Sequence, residues 1–145
     1  MTSSIVPLLV LVPGRAAGEV LALSEPVSFW GGFDAATGRI VDRLHPDRGA
    51  CITGRVLVMC SARGSSSGSS VLAEAIRLGT APAAIVLRSR DAILTVGALV
   101  AATLYDRSCP VVVVETDRDF ARVATTSRAE IEAEENIGRL RLTSP

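Results

Sequence analysis

The sequence predicts an α/β fold in which a small parallel sheet lies beside a second, antiparallel sheet. Two observations carry the prediction. Three short apolar runs rich in β-branched residues lie at 55–60, 84–88 and 111–114, and the two segments between them have helical spacing, the pattern of a parallel sheet joined by right-handed crossovers. The tail from Asp117 to Pro145 has a different character. There Arg128-Ala-Glu-Ile-Glu-Ala-Glu and Arg139-Leu-Arg-Leu-Thr each alternate polar with apolar residues around a turn at Asn136 to Gly138, which reads as an antiparallel hairpin. Helix is the alternative for the Glu-rich half, because Glu and Ala favour it intrinsically.

Taken in order, the chain opens with an apolar run from Ile5 to Val12, interrupted by Pro7 and preceded by no basic residues, so it is a first strand rather than a signal peptide. It ends at the Pro13-Gly14 turn, and Gly18 to Leu23 returns as a second strand that joins the antiparallel sheet. Ser24 to Asp34 follows as a loop: Pro26 breaks regular structure, and Phe29 and Trp30 stand beside Gly31 and Gly32. These aromatics either cap the core or line the rim of a site. Asp34 to Gly38 is turn-like, and Arg39 to Gly49 is a short strand and a loop containing Asp42 and His45, the single histidine. A lone His before Pro, with no second ligand at metal spacing, reads as a hydrogen-bonded loop residue.

The most informative stretch is Arg55 to Gly79, RVLVMCSARGSSSGSSVLAEAIRLG. Strand-type residues come first, and Val71, Leu72, Ala75 and Ile76 at helical spacing come last, with Gly79 placed to terminate the helix. The loop between them directs backbone N–H groups and the positive end of a helix dipole toward one point, a site suited to an anion, and Arg63 adds a formal charge. Ser and Gly also suit a turn and a helix N-cap, but five serines within Ser65 to Ser70 exceed what a cap needs. A Walker-type phosphate loop is excluded because the chain contains no Lys; all fifteen basic residues are Arg. Gly64 to Gly68 matches the G-x-S-x-G nucleophile elbow at Ser66. That hydrolase reading needs a downstream His, and His45 lies upstream.

Beyond the loop, Ala83 to Arg88 is strand-like and Asp91 starts a second helix. From Ala92 to Tyr105 there are fourteen uncharged residues, read as a buried helix because a membrane span takes about twenty. Pro110 to Val114 is a fully buried strand.

Composition agrees with one domain over residues 1–145: 48% hydrophobic content supplies a single core. Fifteen acidic residues balance fifteen arginines, so no net field recruits nucleic acid or a membrane surface. Cys51, Cys60 and Cys109 form no C-x-x-C pair and read as buried free thiols of a reducing, cytoplasmic protein, with no metal site on the chain.

Four blocks together, Ala62 to Ser69, SEPVSFWGGFDAATGRIVDRLHP (Ser24 to Pro46), GRVLVM and GTAPAAIVL, resemble the small swivelling domain of the aconitase X family over about Pro13 to Val114. The resemblance implies a swivelling β/β/α domain that is the small subunit of a two-chain dehydratase. It implies Ser65 as the catalytic base and Ser66 as the adjacent substrate contact; Arg63, Gly64, Ser67 and Gly68 of the same loop are the further candidates for substrate binding, and the resemblance favours Phe29, Trp30, Gly31 and Gly32 at the rim. It further implies a large subunit carrying iron or an iron–sulfur cluster, and a hydroxy acid substrate. That substrate is cis-3-hydroxy-L-proline in the bacterial type, which the triple serine and the SFWGGFD block resemble more, and phosphomevalonate in archaeal relatives, the alternative. Ordinary aconitases follow the Ser-Ser pair with Arg where this chain has Ser67, which argues against a tricarboxylate. A non-catalytic anion-binding or assembly module using the same loop is the other class the residues allow.

Overall fold

A computed structural model describes residues 4–143; the outermost residues of the expected 1–145 domain lie outside that range. The parallel sheet consists of β5 (Val56–Met59), β6 (Ala84–Leu87) and β7 (Val111–Val113). Its strands are the uninterrupted apolar runs because both of their faces are buried. Val56, Val58, Ala84, Val86 and Val112 point into one core, while Leu57, Met59, Ile85, Leu87, Val111 and Val113 point into another. The second core is completed by α1 (Gly68–Leu78) and α2 (Ala92–Tyr105), which pack against each other over the sheet.

The alternating tail forms the hairpin β8 (Arg128–Ala133) and β9 (Gly138–Thr143), with Ala129, Ile131, Ala133 and Leu140 turned inward. The outer face is a charged ladder, where Glu132 stands opposite Arg139 and Arg15, and Glu130 opposite Arg141. Only one face is buried here, and the period of two follows from that.

The N-terminal strands join the two sheets. β1 (Ile5–Val12) pairs with β9 through Ile5 to Leu8 and with β7 through Leu9 to Val12, shifting register between Val10 and Val12. β2 (Gly14–Ala22) pairs with β8 through Gly14 to Glu19 and, in parallel, with β5 through Val20 to Ala22. Both sheets therefore close into one barrel, in the order β1-β7-β6-β5-β2-β8-β9. The expected return of the second strand on the first does not occur. A single residue separates them, too few to reverse the chain, so they diverge to opposite sides of the barrel.

Three further features depart from the sequence reading. A short helix, α3 (Asp117–Thr125), lies in the tail; Thr116 caps it by accepting from the Asp119 N–H (3.2 Å), and Phe120, Val123 and Ala124 pack on the barrel core. The expected short strand at Arg39 is β4 (Arg39–Ile40), but it pairs across the Asp34 turn with an unforeseen strand, β3 (Phe33–Asp34), to make a two-stranded ribbon. α2 is not a buried helix. Leu94, Gly97, Ala98 and Ala101 are buried, whereas Val96, Leu99, Val100 and Leu104 are exposed, because α1 and the sheet cover only one side of it.

Candidate functional site

β5 ends at Met59 and delivers the chain to the mouth of the serine loop. The Cys60 carbonyl there accepts the N–H groups of Arg88 (3.1 Å) and Ser89 (3.3 Å), tying the loop's base to the connection between β6 and α2. The loop lies at the carboxyl ends of parallel strands, where open α/β sheets place their ligand sites. Gly64 has φ 97°, and a Cβ built on it would lie 2.3 Å from Ser28 Oγ. The residue is therefore confined to Gly both by its backbone and by its neighbour.

The serines divide into two kinds. Ser69 Oγ donates to the Ile93 carbonyl (2.7 Å), and Ser70 Oγ donates to the Ser67 carbonyl (2.8 Å), so both are structural. Ser65, Ser66 and Ser67 are exposed at the tip. Ser65 Oγ accepts the Ser67 N–H (3.1 Å), and the Ser65 carbonyl accepts the Gly68 N–H (2.9 Å). The Ser66 carbonyl likewise accepts the Ser69 N–H (3.1 Å). Ser67 stands at the N-cap position in helical geometry and makes no side-chain cap bond.

This tight turn alters the expected anion site. The Ser67, Gly68 and Ser69 N–H groups are used within the turn. Among the described residues the N–H groups of Gly64, Ser65 and Ser66 and the Arg63 guanidinium have no partner inside the chain. What can receive a ligand is the tip, Arg63 to Ser67, rather than the first turn of α1. Gly68 is buried, with its Cβ position 3.6 Å from Phe29 Cβ, 3.8 Å from the Trp30 N and 3.3 Å from Ile93 Cγ2.

The aromatic block stands beside this loop. Phe29 is a core residue with its ring 5.0 Å from that of Phe33, whereas Trp30 is 56% exposed. Ser28 Oγ donates to the Trp30 carbonyl (2.8 Å), the Gly32 N–H donates to the Ser28 carbonyl (3.1 Å), and Gly31 lies open at φ 85°. Ser28 is the contact that sequence reasoning missed; nothing in its local pattern marks it, because its neighbour Gly64 is brought to it only by the fold. The fold also settles the loop that follows. The His45 Nδ1 accepts the Asp47 N–H (3.0 Å) and Nε2 donates to the Glu25 carbonyl (2.9 Å), while Asp42 accepts the Leu44 N–H (3.0 Å). Asp42 braces its own loop, and His45 ties that loop to the segment at Glu25.

The thiols are not uniformly buried. Cys109 is buried, Cys51 is half-buried and Cys60 is exposed, because the chain leaves the sheet one residue before it. Desolvation pushes the Cys109 thiol up to about 12. Bonds from the Thr53 hydroxyl and N–H, and then the Arg39 and Arg55 charges, hold the Cys51 thiol below its ordinary value. Among the described residues no group of three His, Cys, Asp or Glu side chains could hold a metal ion. The exposed loop offers hydroxyls, N–H groups and a guanidinium, a donor set for an anion and not for a metal.

The family model described as "Aconitase X swivel domain" matches residues 6–140. Over 101 residues the chain is 50% identical to a cis-3-hydroxy-L-proline dehydratase of Pseudomonas aeruginosa, a stretch that covers 70% of this chain and 17% of that protein. It is 38% identical over 127 residues to a phosphomevalonate dehydratase small subunit of Archaeoglobus fulgidus, covering 88% of this chain and 91% of that one. The chain thus spans about one sixth of the length of the Pseudomonas relative and nearly all of the archaeal one. Among solved structures, the aconitase X of Thermococcus kodakaraensis in its holo form superposes with TM-score 0.78 at 26% identity, covering 97% of this chain and 98% of that chain.

Proposed function

Because this chain belongs to the aconitase X swivel-domain family, we propose that it acts as the small subunit of an aconitase-X-type hydro-lyase, with Ser65 as its general base. The observation that carries the reading is the hydrogen bond from the Ser67 N–H to Ser65 Oγ at the start of α1. A donor aimed at an oxygen favours its ionised form, and the positive end of a helix acts in the same direction. A hydrogen bond to a charged group contributes about 1.5–3 kcal/mol and a helix end about 0.3–1 kcal/mol. That sum falls short of ionising an alcohol at neutral pH. Docking of the loop against a larger body would strengthen both contributions by lowering the local dielectric, against the cost of desolvating the alkoxide.

In this reading the Arg63 guanidinium and the Gly64 and Ser66 N–H groups hold the substrate carboxylate, with Ser66, Ser67 and the backbone at Gly68 shaping the pocket and Trp30, Gly31 and Gly32 at its rim. Phe29 fixes the rim from beneath. Ser65 takes the proton alpha to the carboxylate; the C–H electron pair becomes the double bond as the neighbouring hydroxyl departs with the C–O electron pair and, taking up the proton Ser65 then carries, is released as water. An iron or iron–sulfur centre on the large subunit would supply Lewis-acid chemistry toward that hydroxyl. The assembly works in the cytoplasm on a small hydroxy acid, without nucleic acid or membrane. No helix among the described residues is long and apolar enough to cross a membrane.

cis-3-Hydroxy-L-proline is the substrate proposed, supported by the 50% identity to the Pseudomonas dehydratase. Phosphomevalonate is the second reading, favoured by the near-complete coverage of the archaeal small subunit. The test is to mix purified chain with the aconitase X large subunit of the same organism and assay both substrates. Turnover on mixing is expected, and Ser65→Ala should lower it by roughly 10²–10⁴-fold. Silence of the mixture on both substrates leaves the non-catalytic anion-binding module. Near wild-type turnover by Ser65→Ala moves the base elsewhere.

A further inference from the structure

We infer that the outward face of α2, with Trp30 at its head, is the surface by which this chain docks on the large aconitase X subunit. The inference rests on the two-chain reading and deepens it by naming the interface.

α2 carries no charged residue along its 14 positions. Its buried side is Leu94, Gly97, Ala98 and Ala101, with Gly97 so close to α1 that a Cβ there would meet the Ser69 carbonyl oxygen at 2.7 Å. The opposite side presents Val96, Leu99, Val100 and Leu104, 49%, 44%, 39% and 66% exposed, at the spacing of one helical stripe. The other outer surfaces are built differently. α1 carries the Glu74–Arg77 pair, α3 carries Asp117, Arg118, Asp119 and Arg122, and the β8–β9 face is a charged ladder. A helix apolar around its whole circumference is normally covered on all sides, and a contiguous apolar stripe on an otherwise charged surface marks an interface.

Two observations say what covers it. First, the opening turn of α2, one turn before the stripe, abuts the base of the serine loop. Ser69 is bonded to the Ile93 carbonyl in the first turn of α2, and Gly68 lies in contact distance of both Ile93 and the Trp30 backbone. Whatever closes over Ser65 therefore meets Trp30 and the start of α2. Second, the matched stretch is a small part of one dehydratase chain in Pseudomonas and most of a separate small subunit in Archaeoglobus. A domain found both joined to and separate from the rest of its enzyme needs, when separate, an interface that replaces the covalent link. With no charge on the helix to complement, the counter-surface is an uncharged, apolar patch on the large subunit beside its substrate site.

The experiment measures affinity of the purified chain for the large subunit of the same organism by calorimetry, together with the thermal midpoint of each variant. The double variant Val96→Arg/Val100→Arg should lose about 100-fold in affinity, and Leu104→Arg about tenfold, with thermal midpoints close to wild type. Leu44→Arg, at an exposed apolar residue outside the stripe, should bind within about threefold of wild type. At saturating concentration the double variant should regain turnover, whereas Ser65→Ala should bind normally and stay slow. Wild-type affinity in a folded double variant, or in Leu104→Arg where the double variant does not fold, overturns the interface and leaves the two-chain reading intact. A wild-type chain that binds no large subunit overturns both. Self-association that the double variant abolishes assigns the stripe to a second copy of this chain and overturns the occupant named here.

Discussion

Gly64 ties the backbone of the serine loop to the aromatic block, and its substitution separates two costs. In Gly64→Ala the methyl group meets both a left-handed φ of 97° and the Ser28 hydroxyl at 2.3 Å, whereas Gly49→Ala meets a φ of 90° with nothing within 4 Å. Strain in that backbone region costs on the order of 1 kcal/mol, so Gly49→Ala should lower stability by about that much. Gly64→Ala should cost more, about 1–3 kcal/mol, and under the proposed dehydratase reading it should also raise KM of the two-chain assembly; thermal melts and steady-state kinetics read the two. The loop also shows where residue-level reading of the sequence stops. Five serines suggested a crowded polar site, yet Ser69 and Ser70 hold helix geometry and Ser28, distant in sequence, stands against Gly64. Hydroxyls look alike in a sequence, and only their partners separate them. The thiols give a second residue-scale test. An alkylating reagent near pH 8 should modify exposed Cys60 readily and leave Cys109 untouched until the chain unfolds, because a thiol pushed up to about 12 carries almost no thiolate at that pH. Peptide mapping after timed labelling checks the order.

The secondary elements were legible wherever burial imposed a clean period. The parallel strands read as unbroken apolar runs because both faces are covered, and the hairpin read as alternation because one face is charged. α1 and α2 carried their own punctuation, Gly79 at φ 82° after the one and Asp91 before the other. α3 was missed because Asp117, Arg118, Asp119 and Arg122 mask an apolar set of only Phe120, Val123 and Ala124. Its cap signal, Thr116 followed by Asp119, was present but sat in a segment dominated by the hairpin pattern. α2 was legible as a helix and not as a half-exposed one, since absence of charge says nothing about whether the cover comes from the same chain. Asp91 Oδ1 accepts the Leu94 N–H at 2.9 Å, so Asp91→Ala should destabilise the fold by about 1 kcal/mol, and Thr116→Ala by a similar amount. Denaturant unfolding with circular dichroism measures both; no change in either would mean that packing alone holds these helix starts.

At the scale of the molecule, the buried thiol couples stability to pH. Cys109 titrates from 9.0 when unfolded to about 12 when folded, so the unfolded chain binds fewer protons between those values. Its contribution is fully present below pH 9 and is lost as pH rises toward 12. Wild type should therefore lose stability over that window by more than Cys109→Ala does, and paired melts at pH 8 and pH 10.5 give the difference.

The sharing of β1 and β2 between the two sheets has a further effect on the molecule. An open sheet ends in rows of unpaired N–H and C=O groups that can recruit strands from other molecules, but here Ile5 pairs with Arg141 and Val20 with Val56, and the circuit of strands has no terminus. Closure depends on partners from opposite ends of the sequence, which places this fold among those of high contact order that form slowly. Until β9 seats between β1 and β8, a nascent chain presents two sticky borders. Once folded, the chain is thereby protected from polymerising through the strands of its barrel.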